Sequence, residues 1–186
     1  MKKLKFTEQK DVDLVRLDLG TGKGLNKPAG FIGVDIVKHK EVDKVCDLRK
    51  RWPWKSNSVD ELNANYLIQY LKPEERVHFV NEAFRVLKPG GKLAVVVPHW
   101  CTSKAWGDLA AYFPPVSEAW FMSLNKAWRE AQNYQTVDYD CDFDFTLGYS
   151  IHPQIQSRNQ EFIQDAITWK KEAAQDTCAT LTKLQR

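Results

Sequence analysis

The chain has 186 residues, 43% of them hydrophobic and 27% charged, which suits a globular protein long enough to bury a core without covalent staples. Its net charge of +3 permits contact with nucleic acid without indicating it, and no apolar run approaches the roughly 18 residues of a membrane-spanning helix. Cys46, Cys101, Cys141 and Cys178 lie far apart with no CxxC pair, so reduced thiols of a cytoplasmic protein are expected rather than a disulfide framework or a structural zinc.

The opening MKKLKFTEQK is basic but has no apolar segment behind it, unlike a signal peptide. LVRLDLG then reads as a short buried strand, 14–19, ended by glycine. FIGVDI predicts a second strand over 31–36, VDKVCDL a weaker third around 44–47, and VDELNANYL a fourth near 59–64. In KPEERVHFVNEAFRVLKPGG, Pro73 suits a first helical turn, and Glu74 and Glu75 favour the positive end of the helix dipole. Val77, Val80, Phe84 and Leu87 recur at helical spacing, and Pro89, Gly90 and Gly91 end the pattern. KLAVVVP predicts a fifth strand closed by Pro98.

Continuous apolar strands imply a sheet covered on both faces and therefore largely parallel. The two crossovers GKGLNKPAG and VKHKEV are too short for full helices, so a doubly wound α/β sheet with trimmed early crossovers is expected. The segment from Trp100 to Val137 is aromatic and weakly periodic. Phe143, Phe145, Leu147, Tyr149 and Ile151 alternate as a strand. Phe162, Ala166, Trp169 and Ala173 form a helical stripe behind a candidate cap, Ser157, and CATLTKL predicts a further strand. The last strands are expected to be antiparallel. No repeat or linker divides the chain, and one domain over 1–186 is expected.

The stretch LDLGTGKG places side-chain-free residues directly after a strand, where backbone can approach a ligand closely. In an open α/β sheet the ligand crevice lies outside the carboxyl ends of the strands. The informative residues are therefore those that follow each strand: the loop 20–24, Asp35, Asp47, the segment 63–66, and His99 with Trp100. The spacing is GxGxG with no full helix behind it. The GxGxxG of dinucleotide folds aims a helix N-terminus at a pyrophosphate, and this loop serves a pyrophosphate poorly.

LDLGTGKG, GVDI, CDL, WPWKSNSVDEL and RVLKPGGKLAVVVP together resemble the class I S-adenosylmethionine-dependent methyltransferases, in the compact form with a shortened first helix. The order and spacing hold over about residues 12–100. Beyond Pro98, SKAWGD and TLTK resemble small bacterial and phage members of the group. The resemblance implies a Rossmann-like fold, S-adenosylmethionine as cofactor, a cofactor-binding half over 1–100 and a substrate-side half over 101–186. By the same resemblance, Asp18 with Gly20, Thr21, Gly22 and Gly24 holds the methionine ammonium and carboxylate. Asp35, beside Ile36, takes both ribose hydroxyls, as a carboxylate can. Asp47 accepts from the adenine amino group with the Leu48 amide near the ring, and Asn65 and Tyr66 lie near methionine or substrate. Two segments depart from the family pattern: WPW stands where LPF is usual, and YLIQYL lacks the His and Glu of the usual HVLEHL.

Because the sulfonium is already an activated electrophile, the reaction needs positioning above all, and a hydroxyl or amine acceptor must also lose one proton. His99 and Asp108 are the candidate bases, although a lone histidine is more often structural. The chain lacks the [DNS]PP[YFW] segment of amino-methylating DNA enzymes and the Pro-Cys pair of cytosine C5 enzymes, which favours a small-molecule acceptor over nucleic acid. RKRWPWK mixes basic and aromatic residues as single-strand-binding surfaces do, but the reading preferred is a solvated linker whose tryptophans pack under the adenine end. Trp100, Trp106, Tyr112, Trp120 and Trp128 read either as pocket walls or as core. The alternative functions are a non-catalytic S-adenosylmethionine-binding or partner-binding module, marked by an exposed aromatic patch with no closed pocket, and a nucleic-acid methyltransferase. A nicotinamide-dependent reductase is a weaker third. Nothing in the sequence sets the oligomeric state.

Overall fold

The computed structural model describes residues 14–23 and 27–185. Seven strands form one sheet: β1 (Arg16–Leu19), β2 (Ile32–Asp35), β3 (Lys44–Val45), β4 (Val59–Asn65), β5 (Leu87–Pro98), β6 (Phe143–Ile151) and β7 (Ala174–Lys183). Their order is β3-β2-β1-β4-β5-β7-β6. The first five pair in parallel, and β7 joins β5 and β6 antiparallel. The helices are α1 (Pro73–Val86), α2 (Ser103–Gly107), α3 (Glu118–Met122), α4 (Lys126–Ala131) and α5 (Gln160–Trp169). Among the described residues no helix occupies either early crossover, as the short segments require, and none is long and apolar enough to cross a membrane.

α1 begins where expected. The Lys72 N–H donates to Glu75 Oε2 at 2.8 Å, and Pro73 opens the first turn, so one orphan donor is satisfied and the residue without a donor sits where none is needed. Its buried face is Arg76, Phe79, Val80, Ala83 and Val86, rotated from the predicted stripe. Leu87 is not in the helix but opens β5, opposite Val59. Sheet pairing wins there because the Asn57 and Ser58 N–H groups take the Arg85 and Val86 carbonyls. The ammonium of Lys183, on β7, donates to Asn57 Oδ1 and to the Phe84 and Leu87 carbonyls, tying the far strand to this junction.

Trp52 is 2% exposed and packs edge-on against Phe79 at 5.2 Å, while its Nε1–H donates to the Leu48 carbonyl at 3.0 Å. The linker reading of RKRWPWK therefore fits better than an exposed aromatic patch. β6 lies at the sheet edge, which suits its alternating pattern. α5 is shorter than predicted and is capped by Asn159, whose side chain accepts from the Phe162 N–H, rather than by Ser157. Its buried residues are Ile163 and Ala166, and Trp169 is 80% exposed.

Candidate active site

The carboxyl ends of β1 to β4 open onto a cleft of about 450 Å³ lined by Gly20, Gly22, Asp35, Ile36, Cys46, Asp47, Leu48, Arg49, Asn65, Tyr66, Leu67, Tyr70 and Leu71. Gly20 must be glycine. Its φ is +67°, and a Cβ there would lie 2.8 Å from Leu67 Cδ1. The loop is fixed to β2 by Gly20 N–H and Thr21 N–H, both donating to the Val34 carbonyl at 2.8 and 3.2 Å.

Asp35 faces this cleft. Its Oδ2 accepts from the Gly22 N–H at 3.1 Å and its Oδ1 from the Val37 N–H at 2.9 Å. Each oxygen retains acceptor capacity for one more donor, as a vicinal diol would need. Asp47 also lines the cleft, but Arg49 claims its carboxylate: Nε donates to Oδ1 at 2.8 Å and Nη2 to Oδ2 at 3.1 Å. The Arg49 guanidinium holds the Asp47 carboxyl below the usual carboxylate range. Leu48, Ile36, Asn65 and Tyr66 all reach the cleft. Gly24 lies outside the described residues.

Two predicted residues are turned away from it. Thr21 is 3% exposed; its hydroxyl accepts from the Val34 N–H at 3.0 Å and donates to the Asp18 carbonyl at 2.9 Å. Its capacity is used in bracing β1 against β2. Asp18 is 6% exposed, and Asn63 Nδ2 donates to its Oδ1 at 2.5 Å, so the carboxylate sits behind the loop rather than on the cleft wall.

A second cavity, of about 150 Å³, adjoins the first and shares Tyr66 and Tyr70 with it. Its remaining lining is Gln69, Val97, Pro98, Lys104, Ala105, Asp108, Ala111, Tyr112, Pro115 and Val116. Tyr66 holds a left-handed φ of 53°, rare for a side chain of its size, and its N–H is anchored to the Val96 carbonyl at 2.7 Å. Asp108 faces this cavity and accepts the Tyr70 hydroxyl proton at 2.7 Å. That bond lowers the Asp108 pKa and raises that of Tyr70.

His99 is elsewhere. It is 1% exposed and lines neither cavity. Its Nε2 meets Glu118 Oε1 at 3.0 Å, so the ring N–H belongs on that nitrogen. Nδ1 accepts the Cys101 N–H at 3.3 Å and faces Cys101 Sγ at 3.0 Å. With both nitrogens engaged and the ring lining neither cavity, His99 has the geometry of a structural histidine. Of the five aromatic residues predicted as walls or core, only Tyr112 lines a cavity; Trp100 and Trp106 are 44% and 58% exposed.

One cluster at the inner cavity has no local sequence signal. Lys104 Nζ lies 4.8 Å from the Tyr66 ring centroid and donates to Asp176 Oδ1 at 2.5 Å, while Ser150 Oγ donates to Asp176 Oδ2 at 2.8 Å. Burial pushes the Asp176 carboxyl up, but the Lys104 and Ser150 bonds outweigh it and hold the carboxyl low. A carboxylate with a depressed folded pKa contributes stability above its unfolded pKa and loses it as pH falls through the folded value. The melting temperatures of the wild type and Asp176→Asn should therefore differ at neutral pH and converge in acid below the carboxylate range. A gap that persists there would separate the latch from ionisation.

A family model for the methyltransferase domain matches residues 17–95, the span from β1 into β5 that holds every residue of the larger cleft. Over these residues the chain is similar to a methyltransferase domain. No curated protein sequence matches the chain. Solved structures share its fold. An S-adenosylmethionine-dependent methyltransferase from Archaeoglobus fulgidus is 14% identical over 91% of this chain and 86% of its own, with a TM-score of 0.62. A Thermotoga maritima S-adenosylmethionine-dependent methyltransferase is 19% identical, covering 91% and 81%, with a TM-score of 0.57. A Burkholderia thailandensis 1,6-didemethyltoxoflavin-N1-methyltransferase, with bound 1,6-didemethyltoxoflavin and S-adenosylhomocysteine, is 13% identical, covering 92% and 71%, with a TM-score of 0.55. The cofactor of the methyltransferase domain is S-adenosylmethionine. The larger cleft fits it: a glycine-walled floor and a carboxylate with acceptor capacity in reserve suit an adenosyl group, and among the described residues no helix N-terminus stands behind the loop to meet a pyrophosphate.

Proposed function

We propose that the protein methylates a small-molecule acceptor seated in the inner cavity, with the cofactor in the larger cleft. The observation that carries this reading is the wall of Tyr66 and Tyr70 common to the two cavities. A methyl group has to cross only there. When bound, S-adenosylmethionine supplies a methyl carbon activated by its sulfonium.

In this reading Asp35 takes the ribose hydroxyls, and Gly20 and Gly22 let the backbone approach. Leu48 and Ile36 enclose the adenine. Asp18 acts through Asn63, holding the loop in place, and Asn65 with Tyr66 marks the methyl-transfer end. The acceptor heteroatom would take the methyl group from the bound cofactor, and its surplus proton would pass to Asp108, directly or through Tyr70. Asp108 is ionised at neutral pH, so it can receive a proton that leaves late. Tyr66, Gln69 and Tyr70 contribute to the acceptor wall from the first half of the chain, while 104–116 close the cavity from the second.

Conversion of cofactor to S-adenosylhomocysteine tests the acceptor class. The low-molecular-weight filtrate of a cell extract should stimulate turnover, and the retained macromolecules should not. Stimulation confined to a nuclease-sensitive retained fraction would replace this reading with nucleic-acid methylation. A second reading, a partner-binding module, draws on the exposed side chains of Trp106, Leu109 and Phe113, at 58%, 101% and 74%. It predicts cofactor binding without turnover on any fraction.

A further inference from the structure

Among the described residues, five side-chain polar atoms are buried without a hydrogen-bond partner: Arg16 Nε, His39 Nε2, Gln69 Oε1, His78 Nε2 and Thr177 Oγ1. Only Gln69 lines either of the two adjoining cavities, and it is 8% exposed. Gln69 sits in the 3-10 turn Ile68–Tyr70 that follows β4, and its own carbonyl accepts the Tyr112 N–H at 2.8 Å, so its backbone is held from both sides. Asp108, by accepting the Tyr70 proton, raises the Tyr70 pKa; the Gln69 amide acts in the opposite direction, as an N–H aimed at the phenolic oxygen does. The Gln69 side-chain carbonyl oxygen is the buried atom left without a partner.

A buried acceptor left unpaired is costly, and a ligand that supplies its missing donor recovers that cost. The rest of the cavity sets the ligand's shape. Tyr66, Tyr70 and Tyr112 with Pro98 and Pro115 give flat, largely apolar walls around about 150 Å³. An apolar cavity of about that volume accommodates benzene. Lys104 is paired with Asp176, and Asp108 accepts from the neutral Tyr70 hydroxyl, so the cavity keeps one net negative charge and favours a neutral or donor-bearing ligand over an anion.

We infer that the acceptor is a monocyclic aromatic or heteroaromatic compound bearing an O–H or N–H, and that Gln69 Oε1 receives that donor and so selects and orients the atom to be methylated. This inference rests on the acceptor reading of the inner cavity. Gln69 is a specificity-determining residue in it, since the amide oxygen cannot carry the proton away; Asp108 and Tyr70 remain the route for that.

Phenol, toluene and 2-naphthol test the inference as binding probes, titrated with and without S-adenosylhomocysteine. They are followed by calorimetry and by the NMR resonances of the Gln69 side-chain amide. Phenol should bind roughly tenfold or more tightly than toluene, which has the same shape without the donor, and should shift the Gln69 amide. 2-Naphthol should be excluded by size. In Gln69→Met, which keeps the volume and loses the acceptor, the preference for phenol should vanish while S-adenosylhomocysteine affinity holds. Equal binding of phenol and toluene to the wild type, no binding of phenol, or admission of 2-naphthol would each overturn the inference, and these arms need no variant. Failure of S-adenosylhomocysteine to bind would instead count against the cofactor placement, because the phenol arm is also read without it.

Discussion

Asp35→Ala should lower S-adenosylhomocysteine affinity by about ten- to a hundredfold or more, in a protein that remains folded. Each charge-assisted hydrogen bond to the carboxylate contributes roughly 1.5–3 kcal/mol, and a vicinal diol makes two. The alanine variant also releases the Gly22 N–H, which Asp35 Oδ2 accepts at 3.1 Å, so the loop over the cleft loosens as well. Those bonds lie at the cleft rather than in the core, and the fold should survive. Asp47→Asn provides the contrast. Arg49 already occupies both Asp47 oxygens, so a nucleobase gains little there, and the loss should stay within about fivefold, or roughly 1 kcal/mol. Calorimetry reads both variants. Equal losses at the two positions would mean that Arg49 swings away on binding, and undiminished affinity in a folded Asp35→Ala would remove Asp35 from the site.

Arg76→Met should destabilise the protein by about 3 kcal/mol, near the upper end for single substitutions. Arg76 is 4% exposed on α1. Its Nε donates to the Ile68 and Leu71 carbonyls at 3.2 and 3.0 Å, Nη1 to Pro114 at 2.7 Å and Nη2 to Tyr112 at 2.8 Å. One guanidinium thus joins the turn after β4 to the segment that closes the inner cavity. Methionine would fill the volume and leave those carbonyls without their donor, each at a cost of roughly 1–3 kcal/mol unless water reaches it. For a chain of this size, about 3 kcal/mol corresponds to a fall in melting temperature of roughly 6–12 °C. Affinity for S-adenosylhomocysteine should change far less than turnover, because Arg76 supports the acceptor wall and not the cofactor cleft. A melting temperature within a degree or two of wild type would show that the segment holds without it.

Local chemistry was enough to read much of the first half of the chain. A glycine at positive φ after an apolar run, an acid ending the next strand and a proline opening a helix are each set within a few residues, and Gly20, Asp35 and Pro73 stand where the pattern placed them. The periodicity of α1 failed at Leu87 because pairing with Val59, a residue far earlier in the chain, decided its conformation. Asn159 displaced Ser157 as a cap because α5 begins later than the stripe suggested.

What the sequence determined by itself, then, was the order of the elements, the largely parallel sheet with its trimmed crossovers and the end of the sheet where the cleft opens. These follow from backbone sterics and hydrophobic periodicity, which act over a turn or a strand. The tertiary structure alone decided where the side chains point. It turned His99 into the interior to meet Glu118 and left Asp108 facing the cavity on Tyr70. It also brought Lys104 to Asp176 across 72 residues of chain, and it left Gln69 Oε1 buried without a partner. Direction and pairing of that kind arise from contacts between segments far apart in sequence, and no local pattern encodes them.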